Sequence, residues 1–139
     1  MRKISHVQFE IEYHIVWTTK YRYKVLNRKI AERARNLIIQ SCNSMNVFII
    51  KGSIGKEHIH LLVSCPPNIS VSKLVQGLKG KTSRKLQMEF PELKKRYWGQ
   101  HLWASGYFCR SVGNVTREII KDYIENQNDE YEENFKIVS

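Results

Sequence analysis

A chain of 139 residues with a formal net charge of +10 and 42% apolar residues has the size and composition of one folded domain with its own core. No apolar run approaches the ~20 residues needed to span a bilayer, and the polar residues after Met1-Arg2-Lys3 leave no apolar signal segment, so a cytoplasmic protein with no membrane partner is expected. Cys42, Cys65 and Cys109 are odd in number, widely spaced and free of any Cys-x-x-Cys, which argues against a disulfide framework and a zinc ribbon.

Val7, Phe9, Ile11, Tyr13, Ile15 and Trp17 alternate with His6, Gln8, Glu10, Glu12 and His14. That period of two predicts a strand over residues 6–18 with one buried and one polar face. Asn27 is placed to cap a helix over residues 28–45, on which Ile30, Ala34, Leu37, Ile38, Cys42 and Met45 form one apolar stripe. Residues 47–54 predict a second strand and residues 57–64 a third, with Gly55-Lys56 as the hairpin turn and Pro66-Pro67 as the stop. Ser70 caps a predicted helix over residues 71–90, whose apolar side is Leu74, Val75, Leu78 and Leu86. Gly77 and Gly80 weaken that helix and suggest that something approaches its backbone closely. Residues 91–100 read as a loop, residues 102–109 as a fourth strand and residues 114–128 as a last helix.

The order β-α-β-β-α-β plus a helix predicts an α+β, ferredoxin-like (RRM-like) fold. It is an antiparallel four-stranded sheet with helices on one face and a C-terminal helix that carries Tyr123. Without an internal repeat or low-complexity linker, residues 1–139 are expected to form a single domain that ends in an acidic tail over about residues 129–139. Residues 122–139 hold six acids against one base, Lys136, so the body before them carries about fifteen net positive charges. A body that basic favours nucleic acid, because neutralising phosphates releases counterions.

Three groups of residues carry chemistry. In His58-Ile59-His60, alternate side chains of a strand share a face, so both imidazoles point the same way while Ile59, Leu61 and Val63 point into the core. Two such histidines can hold one divalent ion. By parity they belong on the sheet face not covered by helices, beside His6, Glu10, Glu12 and His14 of the first strand. In Tyr123-Ile124-Glu125-Asn126-Gln127, Tyr123 and Gln127 stand one helical turn apart. A tyrosine becomes a useful nucleophile when a divalent ion polarises the phosphate it attacks, and Gln127 could add a carbonyl oxygen to that ion. Finally, Lys79-Gly80-Lys81-Thr82-Ser83-Arg84-Lys85 mixes hydroxyls and cations suited to phosphate, and Lys94-Lys95-Arg96-Tyr97-Trp98 adds aromatics that could stack on unpaired bases.

Taken in order, these motifs resemble the HUH single-tyrosine transposases of small insertion sequences (the TnpA-type, IS200-like family). The likeness runs from Tyr13-His14-Ile15-Val16-Trp17-Thr18-Thr19-Lys20-Tyr21-Arg22 through Glu57-His58-Ile59-His60-Leu61-Leu62-Val63, Pro66-Pro67 and Lys79-Gly80-Lys81-Thr82-Ser83-Arg84. It continues through Leu102-Trp103-Ala104-Ser105-Gly106-Tyr107-Phe108 and Ser111-Val112-Gly113 to Tyr123-Ile124-Glu125-Asn126-Gln127. The resemblance implies that His58, His60 and Gln127 hold Mg²⁺ or Mn²⁺ and that Tyr123 is the catalytic nucleophile. It implies a substrate of single-stranded DNA with hairpins near the element's ends, a 5′-phosphotyrosine intermediate, and a homodimer whose active sites combine the histidines of one subunit with the tyrosine helix of the other. Lys79, Lys81, Ser83, Arg84, Lys85 and Arg110 are the expected DNA contacts. Arg110 departs, with Cys109, from the small or aliphatic residues expected there. Gly113, just before the last helix, is a candidate flexible point.

Two other readings compete. A domesticated relative that processes genomic palindromes would share His58, His60 and Tyr123; the chain's end soon after the tyrosine helix favours the compact transposase. A non-catalytic nucleic-acid-binding ferredoxin-like module would show aromatics on its open sheet face, where histidines and carboxylates are expected here. A zinc-binding structural protein would need soft ligands near His58 and His60, and Cys65 lies on the opposite parity.

Overall fold

The computed structural model describes residues 10–126 and the backbone of residues 133–135. Its elements are β1 (Ile11–Thr18), α1 (Arg28–Ser44), β2 (Phe48–Ile54), β3 (His58–Cys65), α2 (Val71–Glu89), α3 (Pro91–Arg96), β4 (Phe108–Val112), α4 (Asn114–Glu125) and β5 (Glu133–Phe135), the expected order with α3 and β5 added. The strands are antiparallel and lie in the order β4-β1-β3-β2-β5. The first four make the ferredoxin-like sheet. The fifth, from the acidic end of the chain, pairs its backbone with the edge of β2, Gly52 facing Phe135.

Local chemistry explains the two long helices. The Asn27 side chain accepts a hydrogen bond from the Ile30 N–H at 3.1 Å, and Ser70 Oγ accepts one from the Lys73 N–H at 3.1 Å. Each cap satisfies an amide that the first turn leaves open. Both helices then bury one stripe, Ile30, Ala34, Leu37, Ile38 and Cys42 on α1 and Leu74, Val75, Leu78 and Leu86 on α2. These pack on Ile15, Trp17, Ile59, Leu61 and Val63, the alternate residues of β1 and β3, to form the main core. Burial pushes the Cys42 thiol up to about 12, so it stays an inert, protonated core group.

Several expectations are corrected. Residues 91–100 are not all loop: Pro91 opens the short helix α3, and Tyr97, expected to stack on bases, is buried with its hydroxyl donating to the Lys20 carbonyl at 3.3 Å. The fourth strand begins six residues later than predicted. Leu102 and Trp103 are buried, but as loop side chains; Trp103 makes a lone bridge to Thr19 and its Nε1 donates to Thr82 Oγ1 at 2.9 Å. Gly106, at φ +78°, then turns the chain into β4. A Cβ built on Gly77 or Gly80 meets nothing within 4 Å, so no part of the described chain approaches α2 there. Residues 6–9 of the predicted first strand and residues 127–128 of the predicted last helix lie outside the described residues.

The largest correction concerns the histidine face of the sheet. It is not bare, because α4 lies across it. Ile120 and Ile124 bury Leu62, the residue of β3 that shares a face with His58 and His60, with Ile50 and Val112 at the rim. At the edges of this contact Arg117 Nε meets Glu12 Oε1 at 2.9 Å and Lys51 Nζ meets Glu125 Oε2 at 3.4 Å. Lys51 reaches this face through a bulge. Ile49 pairs with Val63, but Lys51 pairs with Leu62, so Ile50 is an extra residue and the alternation of β2 reverses after it.

Candidate active site

The site lies at the centre of the sheet. His58 and His60 project from one face of β3 with ring centroids 4.8 Å apart and planes at 87°. His14, on the neighbouring strand β1, joins them: its Nε2 lies 3.5 Å from His60 Nδ1. Phe108 of β4 sets its edge against the His14 ring at 5.7 Å. From above, α4 delivers Tyr123, whose ring meets that of His60 of the same chain at 5.7 Å and 72°. The Tyr123 side chain is 54% exposed, so the phenol is held at one edge and open at the other.

The electrostatics favour the neutral forms of His60 and His14. Burial pushes His60 down to about 3, with His58 and His14 adding to the effect. His14 is lowered as well, first by burial and then by Arg110, which faces it from β4. His58 has a different neighbour. Its Nδ1 lies 2.9 Å from Glu57 Oε1, and Arg22 Nη2 lies 3.6 Å from the other carboxylate oxygen. The Glu57 carboxyl is held below the usual range, with burial opposing and the His58 bond, then the charges of His58, Arg22 and Lys24, outweighing it. An ionised carboxylate can only accept, so His58 carries its proton on Nδ1 and leaves the lone pair on Nε2.

The structure therefore brings together His58, His60 and Tyr123, with Arg110 exposed on the same face of β4. Gln127 lies outside the described residues. The basic segment is elsewhere, on α2 behind the opposite face of the sheet, where α2 and the 99–107 loop border an open groove of about 990 Å³. Lys79 is largely occupied there, its ammonium donating to the Ala104 and Gly106 carbonyls at 2.8 Å each. Ser83 Oγ accepts from Leu102 N at 3.3 Å and from Gln87 Nε2 at 3.1 Å. Lys81 Nζ lies 3.5 Å from Gln40 Oε1, and Lys85 sits near Glu89, whose carboxyl is lowered first by its bond to Arg33. Arg84 is exposed and lines the groove, and Trp98 is 88% exposed.

These placements separate two kinds of cation. Lys79→Met should lower the urea unfolding midpoint, since a part-buried and an exposed carbonyl lose a charged donor, a loss of about 1.5 kcal/mol. Arg84→Ala should leave that midpoint unchanged and weaken binding of a labelled DNA strand, with a shallower salt dependence. Equal stability of both variants would remove the distinction.

Sequence reading missed Glu57 and gave His14 only as a neighbour. For His14 the parity of β1 was a sufficient signal. For Glu57 the signal is a carboxylate directly before His-x-His, at a turn that lets it fold back on His58.

Residues 7–127 match the family model described as "Transposase IS200 like". The chain belongs to the IS200-like transposase family. It is 32% identical over 129 residues to the ISDra2 transposase TnpA of Deinococcus radiodurans, covering 93% of this chain and 92% of that one. It is 33% identical to the transposase for insertion sequence element IS200 of Salmonella typhimurium, covering 93% of this chain and 84% of that one. Among solved structures it superposes on a candidate transposase from Deinococcus radiodurans R1 with a TM-score of 0.73 and 31% identity, over 93% of this chain and 99% of that one. A REP-associated tyrosine transposase bound to a REP hairpin shares the fold, with a TM-score of 0.65 at 14% identity over 89% of this chain and 70% of that one. The ferredoxin-like architecture is thus that of the tyrosine transposases. Among the described residues no helix is long and apolar enough to cross a membrane.

Proposed function

We propose that the protein cuts and rejoins single-stranded DNA at the ends of an insertion sequence, with Tyr123 as nucleophile and His58 and His60 holding Mg²⁺ or Mn²⁺. The observation that carries this reading is the seat of the Tyr123 ring against His60, beside His58, in a member of a transposase family. The donor set fits a divalent ion. Burial favours the neutral form of His60, the Glu57 carboxylate holds Nδ1 of His58, and the two rings share one rigid strand face. No group of three His, Cys, Asp or Glu side chains that could hold a metal occurs among the described residues. The amide oxygen of Gln127 and the substrate's own phosphate oxygens are the proposed further donors. A bound ion would draw charge from a non-bridging phosphate oxygen and orient the phosphate.

The phenol oxygen of Tyr123 attacks phosphorus and gives up its proton to solvent. As that bond forms, the bond from phosphorus to the 3′-oxygen of the preceding nucleotide breaks, and the departing oxygen takes up a proton. The product is a 5′-phosphotyrosine, which keeps the bond energy. A 3′-hydroxyl can later attack it, release Tyr123 and join DNA without a nucleotide cofactor. Arg110, exposed on β4 opposite His14, is proposed to meet phosphate near the site, and Lys81, Arg84 and Lys85 are proposed phosphate contacts farther away. The substrate proposed is single-stranded DNA bearing a hairpin. The working unit proposed is a homodimer with composite sites, in which α4 can serve the partner's histidines, turning about Gly113.

A covalent-adduct assay tests the reading. The protein is mixed with Mg²⁺ or Mn²⁺ and a 3′-labelled single strand spanning an end hairpin, then run on a denaturing gel. A labelled protein band that needs the ion and is absent with duplex DNA is expected. Tight hairpin binding without an adduct in either metal would make the protein a binding module instead.

A further inference from the structure

We propose that His14 is a positioning residue: it accepts a hydrogen bond from His60 Nδ1 and so fixes the His60 tautomer that offers Nε2 to the bound ion. The inference rests on the reading of His58 and His60 as ligands and extends it to a residue of another strand.

Geometry carries the argument. His14 Nε2 and His60 Nδ1 are 3.5 Å apart, and the two ring planes differ by only 14° with centroids 5.7 Å apart. Rings stacked face to face would bring their centroids as close as their atoms. Here the centroid separation exceeds the nitrogen separation by about one ring width, so the rings meet edge to edge, nearly coplanar, with the two nitrogens aimed at each other. That is the arrangement of an N–H···N hydrogen bond lying in both ring planes.

One proton occupies that line, and its owner decides what His60 can do. If His14 donated, His60 would carry its own proton on Nε2 and present a donor where a metal needs a lone pair. If His60 donates from Nδ1, its Nε2 lone pair faces outward. His58 is already in that second state, because its Nδ1 faces the acceptor Glu57. With Nδ1 of His60 turned to His14, only Nε2 is left to meet an ion, and it can do so only through a lone pair, so His60 must donate and His14 must accept. His14 therefore does for His60 what Glu57 does for His58, with a neutral ring in place of a carboxylate.

The fold holds His14 in that role. It sits on the same sheet face as His60, one strand away, opposite Leu62 on β3 and Arg110 on β4. The edge of Phe108 props its ring, and the residue is buried.

Long-range ¹H–¹⁵N correlation spectra of the histidine-labelled protein, without metal or DNA, read the tautomer directly. Wild type is expected to show His60 protonated on Nδ1. His14→Phe keeps an aromatic ring but no acceptor, and should shift His60 toward the Nε2–H form. His14→Gln restores an acceptor at similar reach and should restore the wild-type signal. In Mn²⁺ titrations followed by electron paramagnetic resonance, His14→Phe should bind about tenfold more weakly and His14→Gln within about threefold of wild type. If His14→Phe does not fold, His14→Leu takes its place. An unchanged His60 tautomer and Mn²⁺ affinity in a folded His14→Phe, with binding still lost in His60→Ala, would overturn the inference and leave the ligand reading standing. A wild type that binds no Mn²⁺ would overturn the ligand reading, and with it the purpose assigned to the tautomer.

Discussion

Tyr123→Phe should abolish the covalent DNA adduct and lower single-turnover cleavage by at least ~10³-fold, while affinity for the hairpin strand stays within about twofold. The substitution removes one oxygen and nothing else. The ring that meets His60 at 5.7 Å is kept, and the side chain is half exposed, so α4 loses little packing. Ion binding should be unchanged, because the histidines are untouched. Cleavage that survives without an adduct would mean that water attacks the phosphate directly, and Tyr123 would then be a bystander. An adduct that survives would assign the nucleophile to another residue.

Ile124→Asp should detach α4 from the sheet without unfolding the rest of the domain. Ile124 is fully buried against Leu62 and Ile120. A carboxylate there has no partner of opposite charge in the apolar contact, and burying it unpaired is among the costliest single changes. Two ion pairs at the edge, Arg117 with Glu12 and Lys51 with Glu125, are partly exposed and worth only ~0.2–1 kcal/mol each, too little to hold the helix. Amide exchange in residues 117–125 is expected to rise by about 10²-fold or more, while Ile59–Val63 stays protected by the core on the other face. Exchange rising equally in β3 and α4 would show that the two faces melt as one unit.

The parts of the fold that were legible had a strong period or a chemical punctuation mark. β1 showed strict alternation, and α1 and α2 showed both an apolar stripe and a capping residue. That is why their limits fall within a residue or two wherever the structure describes them. The pair His58 and His60 was legible for the same reason, since period two fixes a shared face. The misses have physical causes too. α3 is six residues long, too short for a helical period to show. The late start of β4 came from Leu102 and Trp103, which are apolar because a loop buries them, and composition alone cannot tell that from a strand. Lys79 and Ser83 have the right chemistry for phosphate, but carbonyls and amides of their own chain ask for the same donors and acceptors. The seat of α4 was hidden because its apolar partner, Leu62, stands among polar neighbours on the histidine face.

The extra residue in β2 has a consequence for how that strand is keyed to its surroundings. Before Ile50, odd-numbered residues face the core; after it they face the histidines, so Lys51 and Ser53 sit across from Leu62 and His60. The two halves of the strand run on separate phases, and Ile50 is the spacer between them. A strand without slack would have to choose between a lysine inside the core and an interrupted row of hydrogen bonds. With the spacer, one continuous segment serves as wall for the interior and as anchor for the helix outside. Ile50 is thus the place where the strand could lose a residue and still keep Lys51 beneath Glu125.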